Sequence, residues 1–549
     1  MQEKIQARVD VSCGAGELKH RWNYIGYDEC NYTHSPGGTA LIRKIGALGR
    51  PFFIRTHHLL CTGIRHGFYK WGSTNVYTED PDGRPVFDFE TVDRIVDTWL
   101  ENNCIPFFEL GFMPKDLADP REAENGVSYS ASYGSVDEYR LRGWCQPPKD
   151  YGRWFDLIFR LAVHLRDRYG EEETAKWYFE LWNEPDIFYW HGTPEEYCRL
   201  FDYTEAALHR ALPRARLGGP ATTGGDDPEG NAARFLRTFL EHTRGGTNHY
   251  SGKTGTRLDF TSFHSKGGNY RFDALAEKQT PSVRTFLANI RTQCAVIREC
   301  GYAGLECVLS EADPDGWAAG GRFDNFNLNF RNTEYYASWV MCAYKNLFDL
   351  AAELDMDLRP LAWAFMFEGE RCFEGTRSLS TQGIDKAVMN LFRLLARLGT
   401  KRIALDIRRE SSEADMPETG GWACLRGDTL QVLLYRHHDD WDREDAAVVS
   451  LDLENLPVNG PVLVTHYRID RDHSNACAEW ERLGRPDWPD DAQRAAILAR
   501  SGLELLCPPE PAEIRGGRLS LRFTLPAHAV SLLELRPGTE QGAEKDPCI

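Results

Sequence analysis

The sequence predicts an α/β fold, a parallel (β/α)8 TIM barrel carrying an accessory C-terminal β-sandwich domain. Three observations lead there. Apolar runs of strand length alternate with amphipathic stretches of helix length, eight such runs follow one another, and beyond about residue 400 the pattern changes to short segments of period two. The apolar runs lie at 22–27, 52–60, 105–112, 177–182, 215–221, 258–264, 306–311 and 361–367. Helix-period segments between them include 87–102, 151–169, 194–212, 282–300 and 333–354, with 387–398 as the eighth helix. Strands alternating with helices form parallel units, and eight such units close into a barrel of about 250 residues before its loops are enlarged. The later segments 429–435, 446–453, 462–469 and 519–525 are separated by Gly, Pro and Asp, the pattern of an antiparallel sandwich. Residues 4–11 alternate in the same way. The expected division is a strand at 1–14 added to the sandwich, the barrel at 15–400, the sandwich at 401–538 and a polar, flexible tail at 539–549.

Composition narrows the partners. With 42% hydrophobic and 27% charged residues the chain reads as a soluble globular enzyme. It has no run of about 18 apolar residues, so no membrane span is expected. The charged start lacks the apolar core of a secretory signal, which points to the cytoplasm. A net charge of −18 speaks against nucleic acid and anionic membranes, both of which reward clustered Lys and Arg. The 15 cysteines are odd in number and scattered, with no C-x-x-C pair, so they read as free, buried thiols rather than disulfides or zinc ligands.

Catalytic groups of such a barrel sit where strands end at its C-terminal face. Two strand ends carry an acid in a chemically suggestive setting: Phe179-Glu180-Leu181-Trp182-Asn183-Glu184-Pro185 on strand four, and Val308-Leu309-Ser310-Glu311-Ala312-Asp313 on strand seven. Splitting a glycosidic bond with retention needs two carboxyls flanking the anomeric carbon, one to protonate the leaving oxygen and one to attack. Glu184 suits the acid/base and Glu311 the nucleophile, with Asn183 placed to donate to the sugar 2-hydroxyl. An isolated glutamate is usually a solvated loop charge; the strand frame is what singles these two out.

Through these motifs the chain resembles glycoside hydrolase family 39, a clan A family that includes β-xylosidases and α-L-iduronidases. The resemblance runs from about Tyr24 to Leu398. Asn183-Glu184-Pro185 is similar to the family's acid/base motif, and Glu311 to its nucleophile. Residues 71–80, Trp-Gly-Ser-Thr-Asn-Val-Tyr-Thr-Glu-Asp, and Gly111-Phe112-Met113-Pro114 resemble stretches of bacterial xylan β-xylosidases.

Further residues stand near the expected mouth. His57 and His264 close strands two and six, where the resemblance implies histidines that bind hydroxyls or orient the carboxylates; each also reads as a structural histidine. His57 and His58 cannot chelate one ion from a regular strand, because neighbours point to opposite faces, and no metal or cofactor is expected. Trp190, Phe263, Phe365, Phe367 and Phe373 offer rings for stacking on a sugar or, equally, core packing; Trp190, just after the acid/base loop, and Phe367 are the favoured ones. Glu368 and Glu374 follow strand eight, where the resemblance implies a hydroxyl-binding carboxylate, and the sequence does not choose between them. Lys266, in Phe263-His264-Ser265-Lys266-Gly267, lies where iduronidases carry a lysine for the substrate carboxylate, and Arg377 offers a second cation.

The expected function is a retaining exo-glycosidase, first a β-D-xylosidase acting on short xylo-oligosaccharides. The alternatives are an α-L-iduronidase or α-L-arabinosidase type, or a non-catalytic carbohydrate-binding barrel. The two sugars first compared share ring configuration apart from C5, so a cation near C5 would decide between them. The expected partner is a small carbohydrate, and self-association into a homo-oligomer stays open. No Gly-x-Ser-x-Gly elbow follows a strand, which argues against a serine hydrolase.

Overall fold

A computed structural model describes residues 3–63, 73–120, 143–317, 320–409 and 416–537. Seven parallel strands run Tyr24–Tyr27, Phe52–Thr56, Cys104–Leu110, Tyr178–Leu181, Arg216–Thr222, Phe260–Lys266 and Glu306–Asp313, each paired with the next. The eighth is broken at Leu361: Asp357–Pro360 pairs with strand seven, and Ala362–Trp363 pairs with strand one and closes the ring. This strand starts before the apolar run expected at 361–367. Arg359 can lie in it because Glu306 and Asp357 neutralise it at 2.7 and 3.0 Å. Beyond Trp363 the chain leaves the sheet, so Phe365 and Phe367 belong to the following loop.

The helices begin where capping side chains stand. Asp150 accepts from the backbone of Gly152 and Arg153 ahead of Tyr151–Tyr169. Thr193 and Glu196 form a reciprocal capping box before Pro194–Ala211, which satisfies N–H groups that a helix start leaves unpaired. Ser282 and Thr333 cap Val283–Glu299 and Glu334–Leu354.

The barrel interior is layered. Tyr24, Phe107, Tyr178, Phe260, Val308 and Leu361 fill the base. Above them lies a charged layer that parallel strands rarely hold: Arg55, fully buried, donates to Glu180 at 2.6 Å and pairs with Glu109 at 2.9 Å. The mouth lies above this layer.

The second unit is a ten-stranded sheet in the order Glu504–Leu505, Gly460–Ile469, Ala529–Pro537, Thr429–His437, Glu418–Arg426, Lys401–Arg409, Glu3–Glu17, Ala446–Glu454, Leu519–Pro526, with Glu510–Ile514 also on Gly460–Ile469. The N-terminal strand pairs antiparallel with Lys401–Arg409 and parallel with Ala446–Glu454. Ile5, Ala7 and Val9 alternate with exposed residues and share one core with Val432, Leu451, Val462 and Leu525. Where sequence patterning suggested only strands, helices Ala476–Arg482 and Asp491–Leu498 interrupt the sheet. Their segment docks on the barrel through the Asp487 carbonyl, which accepts from the Cys372 amide at 2.9 Å. Trp422 of the sheet stacks on Trp22 at 5.7 Å and on Phe348 at 5.9 Å, seating the sheet against helix Glu334–Leu354.

Every cysteine among the described residues is a free thiol, and all but Cys13 and Cys507 are buried. Among the described residues no helix is long and apolar enough to cross a membrane. Trp71 and Gly72 of the 71–80 stretch, and the tail 539–549, lie outside the described residues.

Two substitutions test this packing. A Cβ on Gly26 would lie 2.2 Å from Cε3 of Trp363, so Gly26→Ala should destabilise the barrel by about 1–3 kcal/mol through overpacking. Urea denaturation reads this, and an unchanged midpoint would show that the indole is not confined. Arg55→Met strands Glu109 and Glu180 without their cation and should cost about 3–5 kcal/mol in the same measurement; full stability would mean that the charged layer is not ionic.

Candidate active site

Backbone irregularities aim the two strand-end glutamates. Strand seven carries one extra residue, Ser310, against strand six, so Phe263 pairs with Leu309 but His264 faces Glu311. A bulge of this kind re-aims the side chain that follows it. On strand five the register shifts at Ala221, whose carbonyl accepts the Glu184 amide at 2.9 Å. Trp182 and Glu184 both take left-handed φ values, 70° and 46°. Such conformations cost about 1–3 kcal/mol each in a non-glycine residue and hold only where the surroundings fix them.

The carboxyls of Glu184 and Glu311 and the ring of His264 converge, with one ligand-type atom from each within 4.8 Å of the others. His264 Nδ1 shares a 2.8 Å hydrogen bond with Glu184 Oε1 and lies 3.8 Å from Glu311 Oε2. Burial pushes the His264 ring down to about 3, so it is neutral at ordinary pH. Burial, reinforced by the nearby Glu311 charge, pushes Glu184 up to about 7. Burial also opposes ionisation of Glu311, but the surrounding positive groups, Lys266 foremost with Arg377 and His57, together outweigh it and hold that carboxyl below the usual range. Two glutamates of like chemistry are thereby driven apart, one toward the protonated and one toward the ionised form.

Lys266 supplies the decisive charge. Its Nζ donates to Glu311 Oε2 at 2.6 Å and to Asp313 Oδ2 at 2.5 Å. Arg377 approaches the same Asp313 oxygen at 3.4 Å, while its Nη1 donates to the Asp315 carbonyl at 2.6 Å. From below, Arg55 reaches Asn183 Oδ1 at 3.0 Å and stands 3.8 Å from Glu311 Oε1. Arg55 thus fixes the Asn183 amide with its NH2 as the group offered to the cavity that Asn183 lines. His57 pairs Nδ1 with Glu109 Oε2 at 2.6 Å and turns Nε2 to within 3.8 Å of Glu311 Oε1. Burial opposes its protonation, but the Glu109 charge raises its pKa.

The cavity above these groups measures about 420 Å³. Asn183, Glu184, Glu311, His57, Lys266 and Arg377 line it, and His264 stands behind Glu184. Other expected contacts are absent. Trp190 is buried in the core, edge-on to Trp182 at 5.0 Å, with its indole N–H on the Thr193 carbonyl at 3.0 Å; Ile187 and Tyr189 face the cavity instead. Phe367 does not line the cavity; it packs edge-on to Tyr32 at 6.2 Å beside an adjoining narrow cleft that shares Asp28, Trp363 and Arg377 with it. Phe263 and Phe365 are core residues and Phe373 packs on Trp480. Glu368 is exposed, and Glu374 accepts from the Arg371 amide at 3.2 Å; neither lines the cavity. The buried carboxyl of that loop is Glu370, which accepts from Thr376 at 2.5 Å.

Sequence reasoning missed Asp28 and Trp363, which line the cavity, and Arg55 beneath it. Trp363 lies 4.4 Å from the His57 ring and donates to Asp28 at 3.0 Å. Arg55 did leave a signal: a charge inside the apolar strand Phe52–Thr56 must find acids on neighbouring strands.

Among the described residues, two groups have metal-like spacing. In the Glu184, His264 and Glu311 group, Lys266 already supplies a cation to Glu311. The other is Asp202, His242 and His249 on the outer helices, where Asp202 accepts from His242, the His249 amide and Thr256, and so ties two helices to a loop.

The family profile for glycosyl hydrolases family 39 matches residues 52–501. A β-xylosidase of Caldicellulosiruptor saccharolyticus is 25% identical over 453 residues, covering 80% of this chain and 81% of its own. The α-L-iduronidase of Homo sapiens is 26% identical over 496 residues, covering 84% of this chain and 68% of its own. Among solved structures, a monomeric β-xylosidase from Caulobacter crescentus CB15 superposes with a TM-score of 0.75 at 21% identity, covering 97% of this chain and 99% of that one, a likeness of fold. With the profile spanning most of the chain, the protein belongs to glycosyl hydrolases family 39.

Proposed function

We propose that the chain is a retaining exo-glycosidase that cleaves β-D-xylosides by double displacement, with Glu184 as acid/base and Glu311 as nucleophile. One observation carries the catalytic assignment: the two carboxyls approach within 4.8 Å and are driven to opposite protonation states. Retaining pairs lie about 5–5.5 Å apart, whereas inverting pairs need about 6.5–9.5 Å to admit a water. Glu311 attacks the anomeric carbon as Glu184 delivers its proton to the leaving oxygen. Glu184, then ionised, deprotonates the water that hydrolyses the glycosyl ester. Asn183 holds the 2-hydroxyl, and His264 positions Glu184. The residues read as a sandwich, 1–14 with 401–538, buttress the barrel at 15–400.

The choice of sugar rests on Lys266. A lysine meant for a substrate carboxylate should stand unpaired in the pocket, and this one is held by Glu311 and Asp313. That favours a sugar with only hydrogens at C5. A second reading, an α-L-iduronide or related uronide, is favoured by the presence of Lys266 and Arg377 on one cavity wall.

The acid role predicts the pH profile. Glu184 acts in its protonated form, so kcat/KM on a substrate with a poor leaving group should fall about tenfold per pH unit above about 7. Glu184→Gln should remove that limb and slow poor leaving groups far more than activated aryl glycosides. Glu311→Ala should abolish turnover of both, with azide restoring it from the vacated face. A profile level to pH 9, or full activity in both variants, would sink the assignment.

The sugar is tested with nitrophenyl xyloside, arabinoside, glucoside, galactoside and iduronide; the xyloside should be hydrolysed fastest. Lys266→Ala slows every substrate, because it also unpairs Glu311, so the informative quantity is the ratio between sugars. For a uronide, loss of a buried ionic contact adds about 2–4 kcal/mol, a further drop of about 30- to 1000-fold. A constant iduronide-to-xyloside ratio supports the xyloside, and hydrolysis of the iduronide alone overturns it.

A further inference from the structure

A second cavity, of about 490 Å³, lies at the seam between the barrel and the second sheet. Its walls come from the turn Phe326–Asn332, the start of helix Glu334–Leu354, the loop carrying Trp441, and helix Ala476–Arg482. The volume falls within the about 300–1,000 Å³ of small-ligand sites, and no residue lining it lines the catalytic cavity.

The lining has two characters. One wall is aromatic: Phe330 stacks on Trp441 at 6.0 Å with planes 16° apart, and Phe326 leaves 49% of its surface exposed at the rim. An exposed phenylalanine on a cavity rim is an apolar face without a partner. The facing wall is planar and polar. Asn475 donates to Glu334 at 2.8 Å, and Arg485 pairs with Glu481 at 2.7 Å. Burial pushes the Glu334 carboxyl up to about 7, so near neutrality it can either donate to or accept from a hydroxyl. Arg322, Arg471 and Arg485 are largely offset by Asp442, Glu481 and a partly ionised Glu334, so the cavity carries only a small net charge near neutrality. Rings for apolar C–H faces opposite side chains that hydrogen-bond in two directions are what a neutral polyol requires.

The cavity also lies close to the chemistry. Arg331, between Phe330 and the helix, holds the Asp315 carboxylate at 2.5 Å, and the Asp315 carbonyl in turn anchors Arg377 of the catalytic wall. Both cavities therefore border the loop that follows strand seven.

We propose that this seam cavity is an accessory binding site for a neutral oligosaccharide, with Phe326 as its stacking surface and Glu334, Asn475 and Arg485 as hydroxyl partners. It rests on the carbohydrate reading of the chain but not on xylose as the cleaved sugar. Calorimetric titration of full-length Glu311→Ala with xylotetraose and with cellotetraose tests it. At least one should bind at a second site that Phe326→Ala weakens tenfold or more, and Arg485→Ala likewise. Both variants, placed in the otherwise native enzyme, should leave kcat/KM on a nitrophenyl glycoside unchanged. Binding of either sugar at one site only, insensitive to both substitutions, overturns the proposal, as does no binding at all. Xylotetraose held at the seam but absent from the catalytic cavity supports it while overturning the xyloside reading.

Discussion

The mouth of this barrel is organised by charge neutralisation out of water. Glu109, Glu180, Glu184, Glu311 and Asp313 all converge there. Ionising a carboxylate away from solvent is tolerable only beside a cation. The permanent cations are Arg55, Lys266 and Arg377, and His57 joins them when Glu109 draws a proton onto it. Glu109, Glu180, Glu311 and Asp313 each have one of these cations as a partner. The acid left over is the one whose hydrogen-bond partner is the neutral ring of His264, and that acid is Glu184. The opposed protonation preferences of the two glutamates follow from this pairing: the carboxyl without a counter-ion retains a proton near neutrality, and the one clamped by Lys266 does not.

The backbone serves the same end. The extra residue at Ser310 and the left-handed Trp182 and Glu184 lie within two residues of the pair or in it, and the register shift at Ala221 meets Glu184 through its backbone hydrogen bond. None improves the sheet, since each interrupts pairing or adopts a disfavoured conformation. Their shared effect is to turn Glu184 and Glu311 toward one another, which is where this local strain is used.

The legible part of this molecule was periodic. Strand and helix alternation gave the barrel, and the end-of-strand rule picked out Glu184 and Glu311 because position along a strand is a sequence property. What could not be read was direction. Trp190 follows the acid/base closely in sequence, yet the turn at Trp182 folds it back against the core. Glu368 and Glu374 were indistinguishable as letters, and the loop buries Glu370 instead because Thr376 and Lys386 lie beside it. Arg55 was readable in principle, since a lone charge in an apolar strand implies acids across it. Asp313 is subtler: it follows the nucleophile by two residues, so strand alternation places it on the same side as Glu311, where Lys266 meets both.

That shared lysine has a consequence for the proposed cycle. When Glu311 becomes a glycosyl ester its negative charge disappears, and a lysine paired with it alone would be left as an uncompensated cation in a desolvated pocket. Asp313 prevents this, because Lys266 keeps a carboxylate at 2.5 Å whether or not Glu311 is charged. Arg377 approaches the same carboxylate, so two cations work against the burial that raises the Asp313 pKa while Glu311 changes state. The Lys266–Asp313 pair thus works as a fixed dipole beside a charge that comes and goes. It favours the ionised nucleophile before attack and again when the ester is hydrolysed, without opposing the covalent intermediate by more than the loss of one contact.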